Sequence, residues 1–460
     1  MRKHRGKLLH LVVFGIILSM LVSMAACSGG TGGSSSGSSS SGAQSSGSGS
    51  SEGGRKITFA RFQESPELIE AQDKYFIEPL QKAFPNDIIE FTMFADLQTL
   101  RTQVSAGQGP DIFEVSGPSG IVQYAKSGRI LDLTPYAEKY NWEDVFFDWA
   151  YGVCVYEGKI YSVPNSFEGM VMYYNMDVFE ANGWNIPTNE SELIAIMEDA
   201  KSKGIIPISF GNANYQGAVD WLYSTFLNCN AGPDVMKKAL EGDAQWSDPL
   251  IKGAMQQMVD WWQLGYIGDK RSQSITDTDM MTLFADGKAA MAINGTWLLK
   301  DLLSTYPDLN WSLTLMPELR DGVGQIFPLA AGGCHAINAN AENPDFAAEV
   351  LNNMFTDVER NMTAVREAGF EPYPLKAVTA DSFKGIDERA EDMYGMLMEA
   401  QSAGAVGYCD WTFFPNDVMV YMNENTDGLF LDMLTVDDYL AQVQSLNDKA
   451  IENGEALPIP

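Results

Sequence analysis

The residues able to carry acid–base or metal chemistry are few in kind. The 460-residue chain holds three histidines, His4, His10 and His335, and the first two fall in the N-terminal segment. A multi-histidine metal cluster is therefore excluded, and a Ser-His-Asp or Cys-His arrangement has a single base to draw on. His335, which follows Gly332-Gly333-Cys334, reads as a satisfied structural histidine. Cys154, Cys229, Cys334 and Cys409 are widely spaced with no Cys-x-x-Cys pair, so two disulfides or four isolated thiols both stay open. No metal and no cofactor is expected. What abounds is acid and indole: 61 Asp and Glu against 30 Lys and Arg, a formal charge of −31, and ten tryptophans. So acidic a chain repels phosphate backbones and anionic lipid, which argues against nucleic-acid binding and electrostatic membrane docking. Trp261 and Trp262 sit mid-helix and read as core or helix surface. Trp297 differs, because Asn294-Gly295-Thr296 breaks the chain between a strand and a helix, at the rim where α/β folds bind ligands.

The elements that must position these residues alternate along the chain. Residues 56–60 read as a short strand. Ser65-Pro66-Glu67 then supplies an N-cap, a proline at the first helical position and a first-turn acid, with Ile69, Phe76, Leu80 and Phe84 at helical spacing. Residues 88–94 form a second strand, and Leu97, Leu100 and Val104 mark a helix that stops at Gly107. A third strand covers 111–115, and a helix opens at Ile121 and ends at Gly128. The rhythm resumes with a strand at 170–174, a helix capped by Thr188 or Asn189 with Leu193, Ile196, Met197 and Ala200 on one face, and strands at 205–210 and 289–293. The final third, from Pro344, is largely helical. This βαβα order implies parallel sheets covered by helices, in two α/β lobes. At 45% apolar residues the chain can bury cores for both.

The N-terminus sets an address. Arg2, Lys3, Arg5 and Lys7 precede an apolar run over 8–22 and the small residues Ala25-Ala26 before Cys27, the layout of a secretory signal. The cysteine directly after the small pair resembles the lipobox of bacterial lipoproteins, which implies a signal peptide over 1–26 and a lipid on Cys27. An uncleaved membrane anchor over 8–26 is the alternative. Either places the remainder outside the cytoplasm, on the cell membrane. Residues 28–54 contain 13 Ser and 10 Gly and have nothing apolar to offset the cost of ordering. With Cys27 they form a flexible tether (27–54) of roughly 30 Å reach.

Several phrases resemble one family. Gly109-Pro110-Asp111-Ile112 with Tyr124-Ala125-Lys126-Ser127-Gly128, Gly158-Lys159-Ile160-Tyr161-Ser162-Val163-Pro164 and Tyr174-Asn175-Met176-Asp177 occur in order. Gly287-Lys288-Ala289-Ala290-Met291-Ala292-Ile293-Asn294-Gly295-Thr296-Trp297 and Pro344-Asp345-Phe346-Ala347 follow. Together they resemble the extracellular solute-binding proteins of sugar ABC transporters, including the maltose-binding proteins, over roughly residues 56–455. The resemblance implies the two-lobed periplasmic-binding-protein-like α/β fold with hinge crossovers and a cleft. Lobe one would be 55–166 plus 335–375 and lobe two 167–334 plus 376–460, hinged near Phe167, Ala331 and Tyr373. It further implies a monomer without enzymatic activity that closes around a neutral carbohydrate and docks on membrane permease subunits.

A sugar presents hydroxyls and faces of C–H bonds, which call for planar aromatics and for carboxylates or amides. On the resemblance, Trp297 is the stacking tryptophan, Asn294 stands in its turn, Trp411 is a second aromatic platform, and Glu168 is a sugar-binding acid beside the hinge. Trp221 is a further aromatic candidate. Arg61 and Glu64, expected in the loop after the first strand, and Ser116, just past the third, would reach the cleft from lobe one. Ser116-Gly117-Pro118-Ser119 departs from the maltose-binding pattern of an aromatic and a charged residue, so maltodextrin is not the implied ligand. Two other functions remain open: a glycoside hydrolase, since 61 acids supply carboxylate pairs by chance, and a receptor for another solute such as a peptide.

Overall fold

The computed structural model describes residues 54–213, 218–269 and 271–460. The expectations for the signal, for the lipid on Cys27 and for most of the tether lie outside the described residues. Strand β1 (Lys56–Phe62) buries Ile57 and Phe59. Ser65 Oγ then accepts the Leu68 N–H at 3.2 Å and starts a helix at Pro66. That helix widens by a π-type turn over Asp73–Ile77 and ends at Ala83. β2 (Ile88–Phe94) and β3 (Ile112–Ser116) follow, separated by the helix Leu97–Ser105, which Asp96 caps through the Thr99 N–H at 2.7 Å.

A small hairpin, β4 (Val155–Tyr156) and β5 (Lys159–Ile160), leads to β6 (Val163–Pro164). The next strand, β7 (Glu168–Asn175), is buried along its whole length. Asn189, of the two candidates, caps the helix Glu190–Ser202. β8 (Ile206–Ser209), β9 (Ala289–Gly295), β10 (Trp311–Thr314), β11 (Phe327–Ala330), β12 (Gly333–Ile337) and β13 (Val406–Tyr408) complete the strands.

Two sheets result, one per lobe. The first has the order β2-β1-β3-β12-β6 and the second β13-β11-β7-β9-β8, with β10 also paired to β7. The expectation of parallel sheets holds only in part. β1 is parallel to β2 and β3, but β12 runs antiparallel to both β3 and β6. In the second sheet β7 is antiparallel to β9, β10 and β11. The reversals come from strands that enter a sheet from the opposite lobe, a tertiary event that helical and strand periodicity does not encode.

The chain passes from the first sheet to the second between Pro164 and Glu168, and back between Ala330 and Gly333. A third passage follows the helix Val358–Ala368. These segments run side by side. Phe167 N–H donates to Pro372 O at 2.7 Å, Gly332 N–H to Ser166 Oγ at 2.8 Å, and Asn165 N–H to Gly333 O at 3.1 Å. All four described cysteines are buried and free, which settles the open choice in favour of isolated thiols. Among the described residues no helix is long and apolar enough to cross a membrane.

Candidate functional site

A cavity of about 790 Å³ opens between the two sheets, at the crossovers. All eight residues singled out in the sequence line it: Arg61, Glu64, Ser116, Glu168, Trp221, Asn294, Trp297 and Trp411. Three of them occupy different local structure than expected. Arg61 lies within β1, Ser116 is the last residue of β3, and Glu168 is the first residue of β7 rather than part of a loop. Each strand runs one or two residues longer than its apolar alternation, because pairing with β2, β12 and β11 carries it onward.

The aromatic wall comes from the second lobe. Trp297 follows the turn at the end of β9 and precedes the helix Leu298–Ser304. Its ring folds back over Gly295, where any Cβ would collide with the indole. Trp221 lies 5.8 Å from it between centroids, tilted by 52°, and Trp411 lies 5.9 Å away, edge-on at 75°. Trp221 and Trp411 are 6% and 8% exposed, whereas Trp297 is half-buried and so the most exposed of the three. Asn294 spends its side chain locally, with Oδ1 accepting the Gly295 N–H at 2.8 Å. Trp261 is buried, and Trp262 stacks on Phe430 at 4.8 Å; neither lines the cavity.

Carboxyl groups line the same cavity. Glu168 is 6% exposed and accepts a hydrogen bond from Ser166 Oγ at 3.2 Å. Its carboxylate lies against Gly332, in space that a Cβ there would fill. Burial, joined by the negative charge of Glu371, pushes its pKa up to about 8. Glu114 accepts the Asn165 Nδ2–H at 2.9 Å and is likewise pushed up, chiefly by burial. Glu64 stands exposed at the rim. Arg61 is engaged within its own lobe, with Asp73 at 2.7 Å, Gln72 at 3.1 Å and the Ile69 carbonyl at 3.2 Å.

Several charged lining residues escaped the sequence reading, Lys300, Asp301 and Glu371 among them. Lys300 stands one turn beyond Trp297 on the same helix, and that i, i+3 spacing is the signal that could have found it. Burial works against its charge, but Glu371, Asp301, Glu64 and Glu168 outweigh that and raise its pKa. Glu371 sits in the third crossover beside Pro372, and its Oε1 has no hydrogen-bond partner. His335 corrects an expectation. It is wedged between Phe59 at 5.4 Å and Phe355 at 4.5 Å, but its buried Nδ1 has no partner, so aromatic packing and not hydrogen bonding holds it. Burial drives its pKa down to about 3, which keeps the ring neutral. Among the described residues no group of His, Cys, Asp and Glu could hold a metal.

Indole faces and hydrogen-bond acceptors lining one cavity, between two lobes joined by adjacent crossovers, define a binding protein of the two-lobed class. Residues 66–360 match the family of bacterial extracellular solute-binding proteins, and the chain belongs to that family. Over 343 residues it is 23% identical to the multiple sugar-binding protein of Streptococcus mutans, covering 71% of this chain and 77% of that protein. Among solved structures, a chitin oligosaccharide binding protein superposes with a TM-score of 0.73 at 20% identity, over 87% of this chain and 99% of the other. An ABC transporter solute-binding protein of Thermotoga lettingae bound to α-D-tagatose gives 0.71 at 16% identity, over 86% and 100%. These likenesses establish the two-lobed fold. Family and neighbours are binding proteins rather than enzymes.

Proposed function

We propose that this protein captures a neutral carbohydrate by closing its lobes and delivers it to the permease of an ABC importer. The observation that carries the reading is the half-buried Trp297, framed by Trp221 and Trp411, with Glu168 lining the same cavity. An indole face matches the C–H face of a sugar ring, and the carboxyl groups match its hydroxyls. The cavity carries more acids than bases, with Glu64, Glu114, Glu168, Asp277, Asp301 and Glu371 against Arg61 and Lys300, so it disfavours an acidic sugar. The lobes are 55–166 plus 335–375 and 167–334 plus 376–460, save that Gly333 and Cys334 pair with β3 in the first sheet, and they turn as a monomer about Phe167, Ala331 and Tyr373. Cys27 carries the lipid that holds the protein on the outer face of the membrane, and the Gly/Ser tether lets it reach the permease.

A thermal-shift panel of chito-, xylo- and malto-oligosaccharides beside oligogalacturonates tests the reading. A ligand at 100 times its dissociation constant stabilises by about 2.7 kcal/mol, so a neutral sugar raises the melting temperature and the galacturonates leave it unchanged. One specific feature favours a second reading. A carboxylic acid kept protonated near neutral pH, as Glu168 is, is what a glycoside hydrolase needs for its general acid. Chromatography of the sugar after incubation decides between them: a receptor returns it uncut.

A further inference from the structure

Behind the aromatic wall lie two acids that binding does not require. Asp220 is 7% exposed and Asp410 is fully buried. Each directly precedes a cavity tryptophan: Asp220 and Trp221 lie in the helix Ala218–Phe226, and Asp410 and Trp411 open the short helix Asp410–Phe413. The Asp410 Oδ1 accepts the Trp411 N–H at 2.9 Å and the Ser224 hydroxyl at 3.2 Å. The side chains of Asp220 and Asp410 are in hydrogen-bonding contact, and Asp220 also meets Asn423 of the helix Asn416–Phe430. Yet Asp220 Oδ1 and Asp410 Oδ2 are both buried without any donor. The titratable groups facing the pair are Tyr223 from the first helix, Cys409 beside Asp410, and Tyr439 from the helix Val436–Glu452. Burial pushes all three upward, so they are neutral at physiological pH, and among the described residues no cation acts on the pair. Two buried carboxylates in contact cannot both ionise at ordinary pH.

We propose that Asp220 and Asp410 share one proton, and that this proton-mediated link is the positioning device that holds Trp221 and Trp411 around Trp297. The proton sits between Asp220 Oδ1 and Asp410 Oδ2, the two oxygens that otherwise lack a donor. The link fastens the Trp221 helix to a segment that also touches the other lobe and the crossover. The Trp411 carbonyl accepts the Ser119 hydroxyl at 2.9 Å, and the Thr412 hydroxyl donates to Ala331 O at 2.9 Å. Loss of the proton leaves two anions in contact, which drives the helices apart and opens the wall. Burial raises both acids above the ordinary carboxylate range. The link is therefore complete in acid and lost as pH rises through the raised values of the pair.

Acrylamide quenching of tryptophan emission tests this without any sugar, so its outcome is separable from that of the carbohydrate reading, on which only the effect on affinity rests. As pH rises through the raised values of the pair, the parent protein gains quenchable emission equal to the share of two of its ten tryptophans. Asp220→Asn supplies an amide donor that does not titrate, so it keeps the low-pH quenching throughout and abolishes the step. Glu168→Gln, which removes the titrating acid of the cavity, leaves the step in place. Asp410→Asn gives the same comparison from the other side. The proposal is overturned if the parent shows no step, if the step survives in both amide variants, or if it vanishes in Glu168→Gln. It is equally overturned if neither amide variant folds at neutral pH, because an amide must be able to stand in for the shared proton.

Discussion

Replacing Trp297 by Ala probes the aromatic wall at its most exposed residue. Two losses must be separated. The indole rests on Gly295 and touches Trp221 and Trp411, so truncation also removes packing. A fully buried aromatic costs about 3–5 kcal/mol on such a change, and Trp297 is half-buried, which puts the stability loss nearer about 2 kcal/mol. That leaves a domain of this size folded but shifts its melting temperature by a few degrees. The binding loss is larger in consequence. An aromatic anchor cut to Ala in an interface costs about 2–4 kcal/mol, which at 1.4 kcal/mol per decade is roughly 30- to 700-fold in dissociation constant. Trp297→Phe keeps a flat ring and should lose less. Isothermal titration of the parent and both variants with the sugar that the panel selects measures the ratio, and thermal melts confirm folding. A Trp297→Ala protein that binds as tightly as the parent refutes the placement of the sugar against this wall.

Three further predictions concern charge, motion and address. Glu168 keeps a proton in the fold that the unfolded chain gives up near its ordinary value, so the associated stability is complete below about pH 4.3 and lost as pH rises through about 8. The melting temperature of the parent should therefore fall relative to that of Glu168→Gln across this window, and parallel curves would contradict the burial argument. Small-angle scattering should show a smaller radius of gyration with a calorimetrically confirmed sugar than without it; an unchanged value would remove the hinge. Cys27→Ser should release the protein to the medium or leave it unprocessed, and unchanged membrane retention with an unchanged N-terminal mass would exclude the lipid.

The local grammar of the fold was legible because it is written within a few residues. Ser65 and Asn189 act as caps where their spacing placed them, and β1, β2 and β3 follow their apolar alternation. What was not legible depends on partners far along the chain. The antiparallel entry of β12 and the extension of β7 to include Glu168 are set by pairing across the crossovers. For the site, all eight candidates meet in one cavity. Arg61, Ser116, Glu168, Asn294 and Trp297 stand at strand ends or the turn after one, an address that sequence order conveys, whereas Trp221 and Trp411 are carried by helices. Lys300 and Glu371 were missed for a different reason. Apart from the i, i+3 spacing of Lys300 from Trp297, nothing local separates them from the other charged residues, and only the fold brings their charges to bear on Glu168.

The central claim is that a carbohydrate binds between the lobes at Trp297, and a crystal structure of the protein with its bound oligosaccharide tests it most directly. The account predicts one intact sugar ring stacked on the Trp297 indole, with its hydroxyls directed to Glu168 and Lys300. A sugar bound elsewhere, a ring facing away from Trp297, or a cleaved product in the cavity would contradict it.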